Sequence, residues 1–316
     1  MKVFELTMLF LGAIIGAGFA TGAEIVTFFN QFSLPVWLIA MLVGLTMFGV
    51  MTVSIVLNKT NYPPRNNLIS YVFIGLYFIF FTAMTAAVTQ IAGVFVGLLS
   101  LVFAGLIVEF GFHKMTRVNT FIVICIVIVL FGICLPYVVR PPQMDTHWPD
   151  LPRGILWAWL YAGLNCFMFP ELVAAATPQH KPRTLYLASL LAAVIIAGFV
   201  YLILTAIKFT QTADAVMPLL AASPHPVTFV VILLAILTSQ YSSLFAIVQK
   251  AQTTKLGTQI VPSVLIIFFA TLAFIGSFLG FAQILNLGYP LVGAFICAFL
   301  GFSLLAYLCS RLRARR

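Results

Sequence analysis

Apolar residues gather into long runs along the chain, and short stretches holding the charges, prolines and amides separate them. A helix of about 20 apolar residues crosses a bilayer. On that measure ten transmembrane helices are expected, over 4–30, 34–57, 67–95, 97–112, 118–139, 154–176, 184–207, 226–249, 259–281 and 287–309. The fourth is the shortest, and only Gly93 and Gly97 set it off from the third. The connections are short, so one integral membrane domain over 1–316 is expected, all-α and without a separate soluble domain.

The first run departs from a plain span. Gly12, Gly16, Gly18 and Gly22 fall within eleven residues, and Glu24 follows them. Glycine costs a helix about 1 kcal/mol relative to alanine, so a segment that only had to cross would avoid it. The sixth run carries Gly163-Leu164-Asn165-Cys166-Phe167-Met168-Phe169-Pro170-Glu171. In each run a glycine at mid-depth (Gly16, Gly163) is followed eight residues later by a glutamate (Glu24, Glu171). The longest connection, Arg140 to Arg153, divides the chain into halves at about 4–140 and 153–310. Five spans per half make the second half enter from the opposite face. Interrupted helices at matching places of two inverted halves mark a transporter site.

Composition agrees with the spans and excludes a water-soluble fold. Hydrophobic residues make up 63% of the chain and charged residues 7%, where a soluble domain carries about 25% charged residues. A net charge of +9 invites a nucleic-acid partner, but the charges lie in short clusters between apolar runs, the pattern of cytoplasmic loops. With the N-terminus inside, thirteen basic residues fall on the inner side and only Arg140, Arg153 and Lys208 on the outer. That asymmetry supports ten spans and two cytoplasmic termini. Trp37, Trp148, Trp157 and Trp159 fall near the outer interface. The first run is too long and too rich in glycine for a cleaved signal peptide. Cys125, Cys134, Cys166, Cys297 and Cys309 show no paired spacing and read as small buried residues. The four histidines sit at or near loops without i, i+4 pairing. No catalytic motif stands in a suitable context. Neither an enzyme nor a cofactor is expected, and no metal beyond Na+.

Two readings stand for Gly16, Ala17 and Gly18. Either the backbone unwinds and turns its N–H groups to a substrate carboxylate, or small residues let helices approach closely. Four glycines exceed what packing needs. Tyr161, Gly163 and Asn165 are the matching group, as ligand contacts or as an interhelical hydrogen bond of about 0.6 kcal/mol. Glu24 and Glu171 would cost several kcal/mol if left unpaired. They serve proton coupling or gating, or bond to exposed backbone, since no Lys or Arg within a span offers a partner. The eighth run holds Thr238-Ser239-Gln240-Tyr241-Ser242-Ser243. Its hydroxyls suit a hard cation such as Na+, with Thr238 and Ser239 at one site, unless they bond back to their own helix. Gln90, which shares its run with Thr85 and Thr89, is expected to line the cavity, and the 210–226 stretch is expected as a short surface helix or gate.

The run Gly16-Ala17-Gly18-Phe19-Ala20-Thr21-Gly22-Ala23-Glu24-Ile25, with Phe28 and Phe29 beyond it, resembles the first-span signature of the YkvI family. These are bacterial membrane proteins related to the amino acid–polyamine–organocation transporters. The Gly-x-Gly-Phe piece is also similar to the Gly-Ser-Gly-Ile-Phe break of that wider superfamily. The resemblance implies a LeuT-like fold of two inverted five-helix repeats with helices one and six broken. It implies a sodium ion held by two carbonyls of helix one, here Gly12 and Ile15, and by an Ala-x-x-Thr-Ser run of helix eight, here Ala235, Thr238 and Ser239. A second sodium site of that fold uses asparagines where this chain has Ala13 and Phe19. The helix-five lysine of proton-coupled relatives has no counterpart between Val118 and Val139. One sodium ion is therefore expected, or coupling through Glu24 or Glu171.

The function expected is secondary active transport of a small solute, foremost an amino acid, by alternating access. Gly16, Ala17, Gly18, Phe19, Tyr161, Gly163 and Asn165 would hold the substrate, and Gly12, Ile15, Ala235, Thr238 and Ser239 the ion. The alternative is a solute sensor of the same fold that does not transport, similar to germinant-receptor relatives. The place expected is the bacterial inner membrane, with the solute and the lipid bilayer as partners and no nucleic acid.

Overall fold

The computed structural model describes residues 3–59, 67–138, 150–215 and 217–313. Arg140, Trp148 and most of their connection lie outside the described residues, as do Lys2, Arg65, Arg315 and Arg316. Among the described residues there is no strand. The first apolar run forms three pieces, α1 (Val3–Ile14), α2 (Ala17–Ala20) and α3 (Ala23–Phe29). Next come α4 (Val36–Lys59), α5 (Asn67–Ala92), α6 (Val94–Glu109) and α7 (Phe112–Val138). The sixth run is again divided, into α8 (Leu151–Asn165) and α9 (Phe169–Ala176). They are followed by α10 (Pro182–Thr210), α11 (Pro218–Ala222), α12 (Pro226–Ala251), α13 (Pro262–Gly276) and α14 (Phe281–Arg313). Four of these helices open on proline, whose fixed φ and missing N–H suit a first turn.

Among the described residues six helices are long and apolar enough to cross a membrane, and α8 with the chain through Gln179 makes a seventh, bent by 51°. Val3–Ile14, Val94–Glu109 and Leu291–Tyr307 are apolar but shorter. Length alone thus gives six or seven crossings where the apolar runs predict ten. The shortness of α6 has a local cause. Gly93 sits at φ +89°, a conformation that favours glycine, and it ends α5 so that a new axis begins.

The interior is organised around α1 and α12. Every residue of α1 from Leu6 to Ile14 is buried, and α1 lies against α7, α10 and α12. A helix apolar on all sides belongs inside a bundle. In α12, 78% of the apolar window is buried, against 22% over Pro262–Leu279 and 28% in α7. It runs along α5, α6 and α7, while α4 packs on α10 and α8, and α14 on α8 and α5. Pieces of both interrupted spans, α1 and α2 of the first and α9 of the sixth, meet α12.

Candidate site at the interrupted spans

The first interruption is sharper than the glycines predict. Gly16 N–H turns back to the Ile14 carbonyl at 2.8 Å, and Gly16 itself is extended (φ −99°, ψ −167°). A Cβ there would lie 3.0 Å from Ser239 Oγ and 3.4 Å from Met84 Sδ, so backbone rather than side chain faces α12 and α5. Ala17 N–H points at Met84 Sδ, 3.4 Å away. The expectation that Gly16, Ala17 and Gly18 unwind together is corrected. Ala17 and Gly18 lie in the helical turn α2, and a second interruption follows at Thr21–Gly22. Thr21 donates its hydroxyl to the Ala17 carbonyl at 2.7 Å, and Gly22 takes a left-handed φ of +77°.

At the end of α1 the backbone meets α12. Ser239 Oγ donates to the Gly12 carbonyl at 3.3 Å. Thr238 Oγ1 donates to the Ala235 carbonyl at 2.8 Å, and Ser243 bonds back to Ser239 O at 2.7 Å. Of the polar run, then, two hydroxyls serve their own helix and one crosses to α1. Thr238, Ser239, Ala235, Gly12 and Ile15 are all buried. A Cβ at Gly12 would overlap the Asn119 amide. That amide donates to Met8 O at 2.7 Å and accepts from the Tyr241 hydroxyl at 2.6 Å. Gln240 Nε2 reaches Thr85 Oγ1 at 3.1 Å. Gln240 Oε1 and Ser242 Oγ are buried without a partner. Gln90 is exposed, so Gln240 holds the place expected of Gln90 beside Thr85.

The two carboxylates differ. Asn165, the last residue of α8, donates its amide to Glu24 at the start of α3. The same amide donates to Tyr161 O at 3.1 Å. Glu24 is 2% exposed and Asn165 4%. The carboxylate folds back over Gly18, where a Cβ would lie 2.7 Å from its Oε2 and 3.5 Å from the Tyr289 ring. The hydroxyls of Tyr161 and Tyr289 are buried without a well-formed hydrogen bond. Glu171 behaves otherwise. Lys250 Nζ lies 2.9 Å from its Oε1, and the Tyr77 hydroxyl donates to the same oxygen at 3.3 Å. The expectation that no basic residue pairs with these glutamates is thus corrected for Glu171. Lys250 ends an apolar run and reads as a loop charge, but it belongs to α12.

Gly163 lies apart from this cluster. Its face is filled by Cys297 Sγ and the Gly293 carbonyl of α14, so it packs helices together. Phe19 is fully buried in α2. The expected short helix in 210–226 is α11. Leu219 N–H donates to the Thr21 carbonyl at 2.8 Å, and the Tyr137 hydroxyl donates to Ala222 O at 3.0 Å. α11 is therefore latched onto the second interruption. Met84, Asn119, Tyr289 and Lys250 are site residues that sequence reasoning did not single out. For Asn119 the signal was an amide just inside the fifth run.

The fold is shared with solved structures. Two of them are of the Eremococcus coleocola manganese transporter, one in complex with an aromatic bis-isothiourea substituted compound and one a mutant. Each is 14% identical to this chain, with TM-scores of 0.52 and 0.53, over 96% of this chain and 77% of that one. The likeness is one of fold. No protein-family model matches this chain and no curated protein does, so the resemblance to the YkvI family rests on the first-span residues alone.

Proposed function

We propose that this chain is a secondary active transporter of a small solute, foremost an amino acid, coupled to Na+ by alternating access. Ten crossings in two inverted halves, with both termini cytoplasmic in a bacterial inner membrane, complete the reading. The observation that carries it is the Ser239 hydroxyl on the Gly12 carbonyl, where α1 ends. Carbonyls at an unwound helix end are the groups that transporters of this kind offer to Na+. Gly12 and Ile15 would supply carbonyls, Thr238 and Ser239 hydroxyls, and Ala235 a carbonyl. Gly16, Ala17, Gly18, Phe19, Tyr161 and Asn165 would line the solute side, with Gly163 supporting Asn165 through its packing on α14. Proton coupling through Glu24 is the second route, favoured by its burial beside a neutral amide.

Manganese is what the similar transporter is named for. Among the described residues no three His, Cys, Asp or Glu side chains gather, so that cargo is not carried over. The test is uptake into proteoliposomes by the double variant Thr238→Ala, Ser239→Ala. Sodium stimulation should vanish while the protein still folds. Unchanged sodium dependence would sink the ion assignment.

A further inference from the structure

We infer that Glu24 receives the ammonium group of the solute, so that this site takes amine-bearing solutes and rejects their deaminated counterparts. The inference rests on the transporter reading only for there being a solute at this place. The carboxylate is 2% exposed and its hydrogen-bond partner, Asn165, is a neutral amide. A buried charge with a neutral partner is unfavourable, and a cation relieves it. Glu171, the other buried carboxylate in the spans, already has its cation in Lys250.

The surroundings of Glu24 suit an ammonium in kind. Such a group carries three donors and no acceptor. Glu24 Oε2 turns over Gly18 beside the Tyr289 ring, the Asn165 amide joins the carboxylate to the Tyr161 carbonyl, and the hydroxyls of both tyrosines are buried. The walls are aromatic. Phe28 and Phe29 meet the Tyr161 ring at 5.3 and 5.2 Å, and Phe80 stacks on Tyr289 at 5.5 Å. Ring faces attract cations once water is excluded. A solute with only a carboxylate would meet Glu24 as a like charge, which disfavours it. The ammonium is thus the recognised group, and the solute carboxylate is dispensable.

The experiment is a ligand panel on the full chain in detergent, read by thermal shift and by equilibrium binding. The panel holds the common amino acids, the carboxamide of each, and the deaminated acid with the same side chain, each with and without Na+. Stabilising compounds should all carry the amine, the carboxamides among them, and the matched deaminated acids should be silent. Glu24→Gln should weaken binding of the best amine by about tenfold or more, while Tyr289→Phe should weaken it less. Deaminated acids that bind as well as their amines would overturn the inference, and so would a wild type that no amine shifts. If Glu24→Gln does not fold, the panel on the wild type still decides. Amine binding without uptake into proteoliposomes would leave this inference standing and sink the transport reading. Uptake without amine preference would do the reverse.

Discussion

Lys250 Nζ lies 2.9 Å from Glu171 Oε1, which ties the far half of the broken sixth span to the end of α12. Lys250 also stands over the Phe73 ring at 5.2 Å, so its ammonium is held from two sides. The pair is neither fully buried nor free, with Lys250 21% and Glu171 9% exposed. Its contribution should fall between about 1 kcal/mol for a surface pair and about 3 kcal/mol for a buried one. Glu171→Gln and Lys250→Met should each lower stability by that amount in thermal unfolding. The swap Glu171→Lys with Lys250→Glu should recover more than half of the loss. A swap that loses the sum of its singles would show that no pairing energy exists.

Two glycines separate backbone strain from crowding. Gly22 and Gly93 both hold positive φ, at +77° and +89°. A Cβ at Gly93 meets nothing within 4 Å, whereas one at Gly22 would overlap Ile207 of α10. Gly93, at ψ 164°, holds a conformation that is essentially closed to other residues, so Gly93→Ala should cost about 1–3 kcal/mol from backbone alone. Gly22, at ψ −7°, is left-handed, so Gly22→Ala should cost about 1–2 kcal/mol, plus the displacement of Ile207 Cδ1. Denaturant or thermal unfolding in one detergent measures both, and no loss at Gly22 would contradict the contact between α3 and α10.

The latch of α11 can be cut at one atom. Leu219 N–H belongs to the first turn, where no helical partner uses it, and instead it donates to Thr21 O. Proline is tolerated in a first turn, so Leu219→Pro should remove the latch and spare the helix. Cys166 is a buried thiol at the sixth-span interruption. Maleimide labelling of Cys166, with Cys125, Cys134, Cys297 and Cys309 replaced by serine, should speed up several-fold in Leu219→Pro. Equal labelling rates would mean that α11 does not close over the interruption.

Much of this architecture is legible in the sequence. Apolar runs locate the helices, and the glycines before Glu24 locate the first interruption, though they do not say which residues leave the helix. Gly16 does, but Ala17 and Gly18 regain it, because one turn is enough to satisfy the Gly16 carbonyl through Ala20 N–H at 2.8 Å. Of the α12 hydroxyls that stand out in the sequence, Thr238 and Ser243 bond back to their own helix and Ser239 donates to the Gly12 carbonyl of α1. What the sequence conceals is pairing between distant spans. Asn165 and Glu24 stand 141 residues apart, and neither has a local pattern pointing to the other. Lys250 is concealed for another reason. A long side chain at the end of an apolar run can extend either to water or back into the protein, and hydropathy does not distinguish the two.

The burial of α1 also bears on how the chain is made. Twelve residues cannot cross a bilayer by themselves, and from Leu6 onward every side chain of α1 rests on protein supplied by α7, α10 and α12. α1 is thus enclosed by segments synthesised much later. During insertion it must wait at the membrane, held by the pieces α2 and α3 and by the long helix α4 that follows. Assembly of the interrupted span is then a late event in biogenesis, completed only when α12 arrives to receive the Gly12 carbonyl.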